Sequence, residues 1–348
     1  MQTARFLAGI DEAGLGPLLG PFALGYAGLW CTRASAAGEG AGRWPFEALA
    51  RVVAEEPRLD RDKLIVTDSK KVHARNLRGR RRLERTVLCF WSFARSESPV
   101  GLSARDWLDS PLGPGPELLA AHPWALDLPA RLPLWCEDGA IEDGAAALSK
   151  EARRAGIEPG PIGVRLVPEA ELNAAFDRTE NKSEALWEHT KAALALLFEA
   201  GERGPAHALP RDDAAGRWPA DFMIDRQGGR ARYGPALARA LQGAEVRLIA
   251  ETEGCSSYGA RSHGPGLDAQ VVFAEGGETR SFATALASCF AKYARELAME
   301  GFNRHFGRLA PGLAPTAGYT EDGRRWLLDA ERLLPPGALD RGLLVRRR

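Results

Sequence analysis

Apolar positions along the chain fall into short blocks separated by glycine and proline, and the spacing inside successive blocks alternates between that of strands and that of helices. Residues 4–10 read as a buried strand, residues 11–20 as a tight turn holding Gly14, Gly16, Pro17 and Gly20, and residues 21–30 as a second strand. A helix is predicted over 45–56. A short apolar run at 64–67 then leads to Asp68 and Ser69, either of which could cap a basic helix running to Arg85, with a strand over 86–94. Residues 96–167 are rich in proline and glycine without a sustained period, and read as an insertion or small lobe. Periodicity returns at 181–200, where Ala185, Leu186, Ala192, Leu196 and Leu197 recur at helical spacing. A polar loop at 204–218 precedes a short strand ending at Asp225, broken by Gly228 and Gly229. A second strand ends at Glu251, a hairpin is expected to close near Gly276 and Gly277, and 281–302 is the best helix of the chain. Strands alternating with helices predict an α/β fold with a mixed sheet. Its core is expected to be discontinuous, formed by 1–95 and 168–330, with 331–348 as a C-terminal tail.

Composition narrows the class. With 45% hydrophobic and 26% charged residues, 348 residues can bury a real core. The 46 basic and 46 acidic residues cancel, so any attraction to nucleic acid has to come from a local patch. One such patch runs from Lys70 to Arg85, with Lys71, Arg75, Arg78, Arg80, Arg81 and Arg82 against the single acid Glu84. The five cysteines include no C-x-x-C pair, which argues against a disulfide framework and a zinc site and fits a reducing cytoplasm. No basic leader with a long apolar run opens the sequence and no run reaches membrane-spanning length, so neither export nor a membrane is expected.

The candidate chemistry begins at Asp11 and Glu12, two adjacent acids at the end of an apolar strand and just before Gly14, Gly16 and Gly20. Side chains alternate faces along a strand, but a strand that bends or ends lets both acids serve one site, and the glycines let a ligand approach the backbone. Such oxygen donors suit Mg²⁺ or Mn²⁺, hard cations used in phosphoryl transfer.

The whole run from Gly9 to Pro21, G-I-D-E-A-G-L-G-P-L-L-G-P, resembles the opening signature of ribonuclease HII, with Leu15 where that family carries Arg. Four further segments resemble the family in the same order. They are Asp68-Ser69-Lys70-Lys71, the helix that begins at Asn181 and leads to the strand carrying Asp225, the helix segment from Ala287 to Glu296, and Gly318-Tyr319-Thr320. Together they cover a little under half of the chain, as in an enlarged, divergent relative.

The resemblance implies a ribonuclease-H-like mixed sheet flanked by helices, with insertions, and a metal-dependent endonuclease acting on RNA–DNA hybrids or on ribonucleotides embedded in duplex DNA. It implies Asp11, Glu12 and Asp225 as catalytic metal ligands for Mg²⁺ or Mn²⁺, with Glu296 where the family's fourth carboxylate, an Asp, is expected. Glu251, at another strand end, is the rival fourth donor. Gly14, Leu15 and Gly16 would grip the substrate strand, Lys70, Asn181 and Lys292 would contact it, and Tyr319 would stack on a sugar or base. No obligate protein partner is implied. Loss of the arginine at Leu15 leaves open a relative that cuts a different nucleic acid, or one that binds without cutting.

Overall fold

A computed structural model describes residues 4–32, 41–57, 62–73, 76–113, 119–206, 216–226 and 230–347. Seven strands form one sheet: β1 (Arg5–Ala13), β2 (Phe22–Cys31), β3 (Ile157–Val167), β4 (Arg217–Asp225), β5 (Ala244–Glu251), β6 (Cys255–Ser262) and β7 (Gly266–Ala274). Their order is β3-β2-β1-β4-β7-β6-β5. β4 is parallel to both β1 and β7, and the remaining pairs are antiparallel, so the sheet is mixed as the sequence predicts.

Alternation in β1 and β4 sends side chains to two separate cores. Phe6, Ala8 and Ile10 pack with Trp218, Ala220, Phe222 and Ile224 on one face, under the helix α4 (Lys182–Arg203). Leu7 faces the other core, which is built on the long helix α5 (Phe282–Leu309). Glycine sets how near α5 can come. At Gly9 a Cβ would stand 2.1 Å from the amide nitrogen of Thr284, so the helix lies directly on the strand backbone. The hydroxyl of Thr284 donates to the carbonyl of Met223 at 2.8 Å, tying α5 to β4 as well.

Around these elements lie α1 (Leu77–Arg95), α2 (Asp138–Ala155), α3 (Glu169–Thr179) and α6 (Thr320–Leu333). The helix predicted over 45–56 stops at Ala48, because Val53 and Ala54 instead pair in parallel with Leu64 and Ile65. Asp68 does cap a helix, but a single turn, Ser69–Val72; Asn76 caps α1 separately. The strand expected over 86–94 is part of α1, since Val87, Leu88, Phe90 and Trp91 fill a core between helices where aromatic and β-branched residues pack without strand pairing.

The stretch 96–167, read as an insertion or small lobe, contributes to both the sheet and the core. It supplies the edge strand β3, and Trp107, Trp124, Leu132 and Ile141 join the same core as α5. Glu84, the acid inside the basic run, is fully buried and accepts the main-chain amides of Leu134, Trp135 and Cys136 at 2.6–2.7 Å and the hydroxyl of Tyr293 at 2.9 Å. Much of the basic patch is likewise engaged: Arg81 donates to the Trp135 carbonyl, Arg82 to Val72 and Arg85 to Asp62. Arg75, Gly228, Gly229 and most of the loop expected over 204–218 lie outside the described residues. No helix among the described residues is long and apolar enough to cross a membrane.

Candidate active site

β1 and β4 run side by side with Ile10 opposite Ile224, so Asp11 and Asp225 leave the two strands at the same level. One carboxylate oxygen each from Asp11, Glu12 and Asp225 lies within 4.8 Å of the other two. Asp11 projects toward α5, where the Ser288 hydroxyl bonds to it and is itself 3.1 Å from the hydroxyl of Ser69. The amide of Glu12 donates to Asp11 Oδ1 at 2.7 Å. The three acids line a cavity of about 650 Å³ whose walls include Gly14, Leu15, Gly16, Asp68, Lys70, His73, Glu278, Lys292 and Tyr319.

Burial and mutual repulsion make this cluster costly as a set of free anions. Burial, and then the neighbouring Asp225, pushes Asp11 up to about 8. Burial followed by Asp11 and Asp225 raises Glu12 well above the usual carboxylate range, against the pull of Lys70. Asp225 is pushed up to about 6 by burial and by Glu278, although the amides of Gly277, Gly276 and Arg226 favour its charged form. Three hard oxygen donors converging in one pocket, each short of compensating positive charge, fit a divalent cation of the Mg²⁺ or Mn²⁺ class.

Above the acids the glycine turn has its expected backbone. Gly14 and Gly20 take φ of +85° and +84°, a region that favours glycine. Leu15 is half-buried and rests against the apolar core on the α4 side, and Gly16 is open to the cavity.

Not every expected donor reaches the cluster. Glu296 points to a neighbouring recess, 2.6 Å from Lys292 Nζ and 3.3 Å from His73 Nε2. Its burial is outweighed by these two partners, which hold the carboxyl well below its ordinary value, so it serves as the counter-charge to Lys292 and as a polar partner to His73. Lys292 still lines the main cavity, at its border with that recess. Glu251 accepts the hydroxyl of Tyr258 and lies 3.8 Å from Arg232, away from the three acids. Asn181 caps α4, its Oδ1 accepting the amides of Ser183 and Glu184, and borders a second cavity beside Leu15 and Gly16. Tyr319, 42% exposed, stands where the cavity and the recess meet.

No protein-family model matches the sequence, and no curated protein matches it. Ribonucleases H are among the solved structures it resembles. It is similar to ribonuclease H2 from Pyrococcus horikoshii OT3 at 13% identity, over 97% of this chain and 92% of that one, with a TM-score of 0.41. It is also similar to ribonuclease HII of Archaeoglobus fulgidus, in a structure of its complex with PCNA, at 15% identity over 99% and 94% of the two chains with a TM-score of 0.38. A third likeness is to Bst-RNase HIII in complex with Mn²⁺, at 15% identity and a TM-score of 0.35. It covers 88% of this chain but 56% of that one, little more than half its length. These overlaps are loose, and the chemistry of the site rests on its own residues.

Glu278 is one residue that sequence reasoning missed. It sits on a single helical turn, Gly277–Thr279, between β7 and α5, lines the cavity and raises both Asp225 and Asp11 by its charge. The signal was present: an acid beside glycines at the end of an apolar strand repeats the arrangement of Asp11 and Glu12. His73 was missed too, and nothing in the sequence around it marks it.

Proposed function

We propose that this chain is a divalent-metal-dependent endoribonuclease that cuts the RNA strand of RNA–DNA hybrids, or cuts at ribonucleotides embedded in duplex DNA, in the cytoplasm. The observation that carries the reading is the meeting of Asp11, Glu12 and Asp225 within 4.8 Å beneath a glycine turn. Mg²⁺ or Mn²⁺, when bound, supplies Lewis-acid stabilisation of the charge that develops in phosphodiester hydrolysis. Asp11, Glu12 and Asp225 would hold the metal, with Glu278 adding negative charge at its edge. Ser288 keeps the Asp11 carboxylate oriented. The glycine turn admits the sugar–phosphate strand to the acids, and main-chain groups there suit recognition of a 2′-hydroxyl. Tyr319 offers an exposed aromatic face at the cavity mouth, and Lys70 and Lys292 put positive charge on its wall.

The test is a labelled duplex carrying one ribonucleotide, incubated with and without Mn²⁺, using the wild type, Asp11→Asn and Asp225→Asn. Metal-dependent cleavage at the ribonucleotide by the wild type alone is expected. Equal activity in all three proteins removes the proposed centre, and cleavage of an all-DNA duplex at the same rate removes the ribonucleotide preference.

A further inference from the structure

Arg346 lies far along the chain from the glycine turn, yet it is 4% exposed and packed beneath that turn. Its two terminal nitrogens donate to the carbonyls of Gly14 and Gly20, the two left-handed glycines of the turn. Its amide donates to the Leu18 carbonyl at 3.0 Å, and Val345 bridges Leu19 in antiparallel fashion. Arg295, 2% exposed, grips the neighbouring backbone, donating to Pro21 at 2.8 Å, to Leu19 at 3.2 Å and to Ala317 at 3.0 Å. The carbonyls of Gly14, Leu18, Leu19, Gly20 and Pro21 are therefore all taken. The amides of Leu15 and Gly16, by contrast, have no hydrogen-bond partner among the described residues, and both residues line the cavity above the acids.

Two buried guanidinium groups sit near each other here, with the fully buried Glu169 as counter-charge to both and Glu296 as a further one to Arg295. As a device for stability alone this is poor, because apolar side chains of similar size commonly do as well in a buried site. What an apolar residue cannot do is bridge two carbonyls with a planar fork. The segment is also held from outside: Asn173 on α3 donates to the Val345 carbonyl at 2.9 Å and accepts the amide of Arg347 at 2.7 Å.

We propose that Arg346 is a positioning residue which, by clamping Gly14 to Gly20, holds the Leu15 and Gly16 amides ready as a preformed donor pair for the sugar–phosphate strand of the substrate. The inference rests on the nuclease reading of the same site. It assigns to the segment around residue 346 the ordering of a turn whose own side chain at position 15 is not a cation.

Three variants test it: Arg346→Ala, Arg346→Lys, which keeps a charge but not the fork, and Asn173→Ala, which loosens the segment without touching the turn. With the single-ribonucleotide duplex and Mn²⁺, each is expected to raise KM, Arg346→Ala by about tenfold, as for loss of uniform binding, with kcat within about twofold of wild type. Hydrogen exchange at the Leu18 and Leu19 amides, which donate to the Gly318 carbonyl at 2.8 and 3.0 Å, is expected to quicken in all three. A wild-type KM in the variants, or a fall in kcat with KM intact, overturns the proposal. If Arg346→Ala does not fold, Asn173→Ala decides by the same readings. If the wild type cuts no duplex, the nuclease reading fails by itself, and exchange at wild-type rates in the variants would then show separately that the clamp does not order the turn.

Discussion

Gly25 on β2 lies so close to Ala287 on α5 that a Cβ there would stand 1.9 Å from the Ala287 carbonyl oxygen. The neighbour is helix backbone, which cannot swing aside as a side chain would. Gly25→Ala is expected to destabilise the protein by about 3 kcal/mol or more, the upper range for overpacking a core. It should also blunt metal binding, because α5 carries Ser288 to Asp11. Urea denaturation with and without Mn²⁺ checks both; a wild-type midpoint would mean that α5 does not lie on the strand this closely.

The acids should make the metal-free protein less stable as pH rises. Asp11 ordinarily titrates at 3.8 but is pushed up to about 8 by burial and by Asp225, so between those values the folded chain binds more protons than the unfolded one. That contribution is complete below about pH 4 and is lost as pH climbs through about 8. Asp225, pushed up to about 6, adds the same sign over a narrower window. Asp11→Asn is therefore expected to match the wild type near pH 4 and to exceed it near pH 8.5, by on the order of 2 kcal/mol, when both are unfolded in a chelator. A constant difference across pH would contradict the burial of this charge.

Glu278 and Glu296 should part company in a metal titration. Glu278→Gln removes a charge felt at Asp225 and Asp11 and is expected to weaken Mn²⁺ binding roughly tenfold, the lower end for groups that support a metal site. Glu296→Gln leaves Lys292 without its counter-charge and weakens the contact with His73, so it should lower the melting temperature while leaving Mn²⁺ affinity unchanged. Calorimetric titration of the two variants reverses the assignment if the affinities come out the other way.

Tyr319 should matter to substrate and not to fold. Its ring is 42% exposed at the cavity mouth. Tyr319→Ala is expected to raise KM for a ribonucleotide-containing duplex by about tenfold, in the range of one lost stacking contact, and Tyr319→Phe to change it little. Equal KM values for alanine and wild type would exclude stacking there.

The glycine-rich opening run made most of this site legible, because it places acids at a strand end and leaves the backbone open to a ligand. Asp225 was legible for the same reason, as the last residue of an apolar strand. The fourth acid was not. Glu296 lies in the segment that resembles the family helix, but helical geometry turns it toward Lys292 one turn away and toward His73, which lies on a segment far from it in the chain. The stretch 86–94 misled because its aromatic and β-branched residues suit a strand and a helix buried among helices alike. In the stretch 96–167 the prolines and glycines hid the anchoring done by Glu84, a single buried acid whose partners are backbone amides fifty residues away.

The grip of Arg346 on Gly14 spans 332 positions. A ribosome making this chain from its first residue has long since released the opening strand before the residue that braces its turn is added. Contacts of such separation close late, since the loop they seal is long. A half-made protein can thus display its acids yet lack a firm rim around them, which delays a competent cleft until Arg346 has been added.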